Sequence, residues 1–223
     1  MRLVVLQKME EESVNRFIAV ASNFHQISRL HNCRRTYRIT RQGLLKHCGL
    51  DKALDPPAYG DETWVKEFEL LHDPLANSVF VYCFGCLEAA MIEATKALDL
   101  HFDPEVSITE RAFTRHQGLT KVRKFLARNF KLEHVKDDQI GSWISDLSNI
   151  RNLLVHACGK VENTNLKHRA KMLNTVDRAK RLELCKISID EEVVVTEDGL
   201  NFLFQFSEGY LSEICRIQVD ELE

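Results

Sequence analysis

Turn-forming residues are scarce in this chain, which has only four prolines and nine glycines among its 223 residues. An all-β architecture needs many more turns, so the scarcity of proline and glycine in this chain favours long helices. The chain also lacks a Walker phosphate loop, a GxGxxG turn after a strand, an HExxH zinc motif and a GxSxG nucleophile turn. These absences disfavour P-loop ATPases and dinucleotide enzymes, and we expect no cofactor.

Membrane-spanning and secretory signals are missing as well. The longest apolar run, Val79 to Phe84, is far short of the ~20 residues that cross a bilayer. The apolar stretch Leu3 to Leu6 is too brief for a signal peptide. With 44% hydrophobic and 28% charged residues, the composition is that of an ordinary globular protein. We therefore expect a soluble cytoplasmic protein with no membrane partner.

The seven cysteines form an odd and unevenly spaced set. In a chain without a secretory signal, this pattern favours reduced thiols over a disulfide framework. Cys83 and Cys86 have CxxC spacing but lie in an apolar helical pattern without a second pair, so we interpret them as buried hydrophobic side chains rather than zinc ligands. No metal site is predicted.

The net charge of −3 hides an uneven distribution. The segment Arg29 to Leu50 has six cations and no acid, whereas eleven acids face only two cations from Glu183 onward. A basic face can attract phosphates in a salt-sensitive way, although a solvated helix surface is an equally good explanation. The candidate RNA-binding residues are Arg34, Arg35, Arg38 and Arg41.

Hydrophobic periodicity predicts a chain of helices. We expect an amphipathic helix over Leu3 to Leu30 and a separate basic helix around Arg34 to His47. Pro56, Pro57 and Gly60 mark a linker between Leu50 and Asp61. Asp73-Pro74 has the residues that cap and begin a helix, so a central helix is predicted from about Leu75 to Leu98.

The second half of the sequence continues this pattern. Asp103-Pro104 marks another break, followed by a helical region from Ile108 to Phe130. Asp137-Asp138 leads into a further helix, and a Lys- and Arg-rich stretch that is helical or irregular extends to Arg181. Two short strands, Lys186 to Ile189 and Val193 to Val195, precede a closing amphipathic helix over Asp198 to Ile217. The fold class predicted is an all-α antiparallel bundle with at most a small β-hairpin.

The most informative stretch is Ser145 to Val161, SDLSNIRNLLVHACGKV. Apolar residues at three- and four-residue spacing predict a buried helical stripe, and Gly159 stands where a left-handed cap would end the helix. At about 100° per residue, Asn152 and His156 are roughly 40° apart, with Arg151 flanking them. The stripe consists of Leu147, Ile150, Leu154 and Ala157.

Arginine and histidine at this approximate spacing are not unique to that stretch. The pairs Arg41/His47, Arg111/His116 and Arg128/His134 have a similar separation, so the bare pattern has a high rate of chance matches. Only the pair Arg151/His156 combines an adjacent asparagine, an apolar spacer, a preceding amphipathic helix and a following Gly-Lys-Val. This fuller phrase makes it the candidate site.

The phrase RNLLVH resembles the hallmark of the HEPN superfamily of helical domains, in which an arginine, often with asparagine directly after it, precedes a histidine by a few residues. The resemblance covers about residues 73 to 217, with N-terminal helices over 1 to 50, and implies one HEPN-like domain over 1 to 223. It further implies a metal-independent endoribonuclease acting as a symmetric dimer in a toxin or defence context. An antitoxin or regulatory protein would then be a further partner.

The side chains fit that chemistry. Cleavage of RNA by its own 2′-hydroxyl requires proton transfers and stabilisation of a charged phosphate, which suit His156 as acid or base and Arg151 as phosphate ligand. Asn152 would orient either group. Glu88 resembles the acidic or polar residue that many family members have on the central helix facing this site, although a buried, paired carboxylate or a bundle-surface residue is the more common role.

Two other functional classes stay open. A non-catalytic HEPN-like module would use the same residues to bind RNA, a nucleotide or a protein partner. A purely structural helical dimer would need no site at all, with His156 present because a helix C-terminus favours an imidazole.

Overall fold

The computed structural model describes residues 2–48, 62–99, 122, 138–188 and 190–220. Within these ranges the fold is all-α with one small antiparallel hairpin before the last helix, as predicted. The helices are α1 (Arg2–His47), α2 (Glu62–Asp99), α3 (Asp138–Ala157), α4 (Leu166–Arg181) and α5 (Glu197–Asp220), with a short 3₁₀ turn at Val161–Asn163. The strands are β1 (Cys185–Ile187) and β2 (Val193–Val195).

The chain divides into two compact units, and α1, α2, α3 and α5 each contribute to both. Unit 1 comprises Met1–Arg29, Phe84–Leu147 and Gln205–Glu223, and its described core includes Phe84, Leu87, Met91, Ile144 and Leu211. Unit 2 comprises Leu30–Cys83 and Ser148–Phe204. The single HEPN-like domain expected from the sequence stays a prediction.

The predicted break between an N-terminal helix and a basic helix is wrong, because α1 is one helix of 46 residues. Leu30 and Tyr37 are both buried, and their seven-residue spacing keeps one apolar stripe facing the same side. No proline or glycine lies between Leu30 and Arg34. The concentration of arginines therefore changes the exposed face of the helix without interrupting it.

The predicted helix start at Asp73-Pro74 is also wrong, because α2 begins at Glu62 and contains Pro74. Proline cannot donate a hydrogen bond, so the carbonyl of Leu70 loses its helical donor. That loss occurs at a residue that is 71% exposed, where water can replace the missing amide. The side chain of Asp73 contacts His72 and Lys186 instead of capping a helix.

The hairpin pairs β1 with β2 in the register Cys185 to Val195, Lys186 to Val194 and Ile187 to Val193. Its turn is closed by the backbone amide of Ser188, which donates to the carbonyl of Glu192 at 2.9 Å. All three β2 residues are buried. Both strands and the closing helix α5 confirm the sequence prediction, as does the start of α3 at Asp138.

Some predicted elements lie outside the described residues. They are the linker between Leu50 and Asp61, the break at Asp103-Pro104 and the helical region from Ile108 to Phe130, of which only Val122 is described, as helical.

One described stretch, Val65–Glu93 of α2, is long and apolar enough to cross a membrane by length and composition. Its most apolar window has a mean hydropathy of 1.6, and half of that window is buried inside the protein. A core helix has the same properties.

The first turn of α5 generates a stability prediction. The amide of Gly199 donates to the Thr196 hydroxyl at 3.0 Å, and a Cβ at Gly199 would clash with the carbonyl of Leu184. We expect Gly199→Ala to lower the free energy of unfolding by about 1–3 kcal/mol, because backbone atoms must move apart. Urea unfolding followed by circular dichroism measures this difference.

Gly209 is the matched control on the same helix, because a Cβ there meets nothing within 4 Å. Gly209→Ala should stabilise the protein by about 0.5–1 kcal/mol through its higher helix propensity. Equal effects of the two substitutions would contradict the close approach of α5 to Leu184.

Candidate functional site

Arg151, Asn152 and His156 lie in the second half of α3, as the sequence predicted. Arg151 Nη1 donates to Asn152 Oδ1 at 2.9 Å, and both side chains are half-buried. His156 is exposed in the last turn of the helix. One copy of the chain therefore presents an oriented guanidinium and an accessible imidazole on the same helix.

The buried stripe of α3 differs by one residue from the prediction. Ile150, Leu153 and Ala157 are buried in unit 2, whereas Leu154 is only half-buried. Leu153 lies about 100° around the helix from Leu154, which the sequence predicted to be buried. The core-facing side of α3 is therefore rotated toward Leu153. This rotation places Leu154 at the wall of a cleft that is described below.

The end of α3 is fixed by the hairpin. Gly159 has φ +79°, which confirms the predicted left-handed cap, and Cys158 before it also has positive φ, at 50°. The amide of Val193 donates to the carbonyl of Gly159 at 3.0 Å. A Cβ at Gly159 would lie 3.1 Å from the Val193 oxygen. Glycine is thus favoured both by the backbone conformation and by the close approach of β2.

Helix α4 lies beside this part of α3. Asn149 of α3 donates to the buried hydroxyl of Thr175 at 3.2 Å, and Asn163 Nδ2 donates to the carbonyl of Ala157 at 3.3 Å. Six cations and one acid lie on α4. The sequence showed this stretch as basic but gave no sign that it packs on α3. The cations of α4 are Lys167, Arg169, Lys171, Arg178, Lys180 and Arg181.

The four candidate RNA-binding arginines of α1 divide into two kinds. The guanidinium of Arg34 lies over the ring of Phe204, 5.7 Å from its centroid, and Arg41 Nη2 is 2.6 Å from Glu197 Oε2. Both therefore contribute to packing of α1 against α5 within unit 2. Arg35 and Arg38 are exposed and are the two best placed to meet a phosphate.

Glu88 lies on the part of α2 that belongs to unit 1, whereas Arg151 and His156 belong to unit 2. Its side chain is half-buried. A role for Glu88 in the site stays a prediction.

Unit 2 contains a cleft of about 1000 Å³. Its walls come from α2, the hairpin and one side of α3, which contributes Leu154 and Cys158. Arg151, Asn152 and His156 do not line it. Its apolar walls include Leu70, Pro74, Val81, Tyr82, Ile187 and Val194.

The charged groups of the cleft are two lysines and four carboxylates. Lys186 Nζ lies 2.7 Å from Glu69 Oε1 and 3.3 Å from Asp73 Oδ2. Burial acts to lower the pKa of Lys186, but its hydrogen bonds and its attraction to Glu69 and Asp73 outweigh burial and raise that pKa. The cleft thus has a surplus of two negative charges. The remaining charged groups are Lys66, Asp190 and Glu192.

A buried hydrogen-bonded chain extends from this cluster. His72 is 8% exposed, with Nδ1 3.5 Å from Asp73 Oδ1 and Nε2 2.8 Å from the hydroxyl of Tyr37. Phe68 stacks on its ring with a centroid distance of 4.9 Å. Burial lowers the pKa of His72 despite the opposing influence of Asp73. Burial also raises the pKa of Tyr37 to about 12, so its hydroxyl can donate to a neutral imidazole.

Sequence reasoning found the residues of α3 but missed this cleft. The sequence pattern favours Asp73 as a helix cap and Lys186 as an ordinary strand residue, and 113 positions separate them in the chain. Within the described ranges, no three His, Cys, Asp or Glu side chains cluster closely enough to hold a metal ion.

The chain matches no protein-family model, no curated protein and no solved structure. The likeness to HEPN domains therefore depends on the residues of α3 themselves.

His72 generates a prediction of pH-dependent stability. Since its pKa is lower in the folded state, the unfolded chain binds the proton first, and protonation opposes folding. The stability that the neutral His72 contributes is fully present above the ordinary histidine pKa of about 6.5. It is lost as the pH falls through the lower pKa that His72 has in the folded protein. Between about pH 7.5 and pH 5, we expect the free energy of unfolding to decrease less in His72→Gln than in the wild-type protein.

The matched control is the exposed His168 on α4. His168→Gln is measured in the same way, by urea unfolding at each pH, and the change of profile in His72→Gln is compared with it. A wild-type profile that is the same as that of His72→Gln would contradict burial of a neutral imidazole.

Proposed function

We propose that this protein is a metal-independent HEPN-type endoribonuclease that cleaves RNA by attack of the 2′-hydroxyl. The observation that carries the proposal is the arrangement of Arg151, Asn152 and His156 near the C-terminal end of α3. Arg151 is held by Asn152 at 2.9 Å, and His156 is exposed one turn further on. A cytoplasmic toxin or defence protein is the setting that the HEPN resemblance implies.

Each residue has a defined task in this reaction. An imidazole can accept and give protons near neutral pH, so His156 acts as acid or base. The guanidinium of Arg151 presents several donors to the phosphate and stabilises the charge that develops on it. Asn152 accepts from Arg151 Nη1 and so limits the orientations of the guanidinium. The exposed cations of α4 add an attractive potential for RNA beside α3.

A symmetric dimer supplies what a single chain lacks. Arg151 and His156 are five residues apart, which corresponds to about 140° around the helix. One proton must leave the 2′-hydroxyl and another must reach the departing 5′-oxygen. Two copies whose α3 helices face each other provide two imidazoles and two guanidinium groups at one dimer interface. Val155, next to His156, is 44% exposed and offers apolar surface to such an interface.

The test is cleavage of mixed structured and single-stranded RNAs in excess EDTA, with product ends analysed for 2′,3′-cyclic phosphate. His156→Ala should reduce kcat by about 10²–10⁴-fold, because it removes the proton transfer. Arg151→Ala should reduce it by about 10²–10³-fold, because it removes charge stabilisation. His168→Ala is the control, since this exposed histidine lies on α4. Equal cleavage by all four proteins would overturn the proposal.

The same assay tests RNA attraction separately from the chemistry. Arg35→Gln/Arg38→Gln should raise KM and reduce the slope of log affinity against log salt by about 1–2, while kcat stays unchanged. Arg41→Gln is the comparison, because Arg41 is already paired with Glu197. An unchanged salt slope in the double variant would show that α1 has only a solvated basic face.

A second function is favoured by the cleft of unit 2. Its volume of about 1000 Å³, its apolar walls and its surplus of two carboxylates suit a non-catalytic module that binds a protein segment with apolar and basic side chains. An RNA or nucleotide phosphate would meet like charge there. An antitoxin or regulatory protein is the kind of partner that would supply such a segment.

Filling the cleft tests this second function. Ser78 is an exposed wall residue of α2, so Ser78→Trp should block binding of a synthetic leucine- and arginine-rich peptide measured by calorimetry. Asn174→Trp, at an exposed position on α4, should leave binding intact. A peptide with glutamate in place of arginine should not bind. Equal binding to wild type and Ser78→Trp would eliminate the cleft as the docking site.

A further inference from the structure

Two thiols face each other within unit 2. Cys83 of α2 donates its S–H to Cys33 of α1, and their sulfur atoms are 3.5 Å apart. The two residues are fifty positions apart in the chain, so the contact joins two helices. Cys83 is fully buried, whereas Cys33 is partly exposed. Cys33 is therefore the member of the pair nearer to solvent, and Cys83 is its buried partner.

The arrangement makes Cys33 the more reactive thiol. A donated hydrogen bond favours a thiolate, and the bond from Cys83 lowers the pKa of Cys33 although burial opposes this. The thiolate is the nucleophilic form of cysteine, so both acidity and access favour reaction at this sulfur. By contrast, burial raises the pKa of Cys185 to about 11, which makes it unreactive near neutral pH.

We propose that Cys33 is a site of oxidation by hydroperoxides, and that Cys83 resolves the product into a disulfide joining α1 to α2. Formation of the bond requires the sulfur atoms to close from 3.5 Å to about 2.05 Å. The disulfide would tie the basic segment of α1 to the helix that forms the wall of the cleft.

The two steps balance. In the first, the Cys33 thiolate attacks one peroxide oxygen, the O–O bond breaks, and sulfur gives two electrons to form a sulfenic acid. The other oxygen leaves as alkoxide or hydroxide and takes from solvent the proton that Cys33 released on ionising, which makes it alcohol or water. In the second, the Cys83 sulfur attacks Cys33 Sγ and the S–O bond breaks. The departing hydroxide takes the Cys83 proton to form water. One hydroperoxide is consumed for each disulfide, and a small thiol reductant reverses the modification.

The experiment is titration of the reduced protein, residues 1–223, with one equivalent of hydrogen peroxide. Its seven thiols should fall by two, the intact mass should drop by two hydrogens, and non-reducing peptide mapping should find Cys33 linked to Cys83. In Cys83→Ala, dimedone should trap a sulfenic acid on Cys33. Dithiothreitol should restore the wild-type thiol count.

Three variants provide controls. Cys33→Ser should abolish the loss of two thiols. Cys86→Ala, which removes the neighbouring buried cysteine of the CxxC pair, should leave it intact, as should Cys158→Ser, which removes an exposed thiol. Circular dichroism establishes that each variant is folded, and wild-type mapping decides the matter if Cys83→Ala is not. A disulfide at other positions, or loss of two thiols in Cys33→Ser, would overturn the proposal.

Discussion

The outer edge of β2 is the constraint on which the rest of unit 2 depends. A three-residue strand with only one partner leaves backbone donors and acceptors unpaired, and burying them without partners is costly. Here Asn77 of α2 takes the place of a neighbouring strand. Its Oδ1 accepts from the Val195 amide at 2.9 Å, and its Nδ2 lies 3.4 Å from the Val193 oxygen. Gly159 accepts the amide of Val193. One strand edge therefore fixes α2 and the end of α3 together.

This arrangement determines what each side of α3 can do. The side with Leu154 and Cys158 closes the cleft against α2 and the hairpin. His156 is about 160° around the helix from Leu154, and it is exposed. The same anchored helix thus presents an apolar wall to one space and an imidazole to another. The cleft has a surplus of negative charge, whereas α4 has six cations and one acid, so the two surfaces attract ions of opposite sign.

Local sequence patterns predicted which helices and strands form better than they predicted where each one begins and ends. The α3 helix, its glycine cap, the hairpin and α5 all follow from short-range periodicity and turn chemistry. At Leu30 to Arg34 the onset of basic charge does not interrupt the buried stripe that includes Leu30 and Tyr37. At Asp73-Pro74 the local helix-start signal fails because the hydrogen bond that Pro74 removes lies at the exposed residue Leu70. The cleft could not be predicted, because Glu69 and Lys186 meet only through tertiary packing. The thiol pair likewise required α1 and α2 to be placed side by side.

The close approaches at Gly159 and Gly199 separate the requirements of folding from those of chemistry. Arg151 is half-buried and His156 is exposed. A descendant of this protein can therefore lose either side chain and keep the same fold. Any side chain at Gly199 would displace the Leu184 carbonyl, and one at Gly159 would crowd Val193. We therefore expect these two glycines to persist in divergent homologues that have exchanged the arginine and histidine for other residues. The glycine pair would then identify shared ancestry independently of the polar residues of α3.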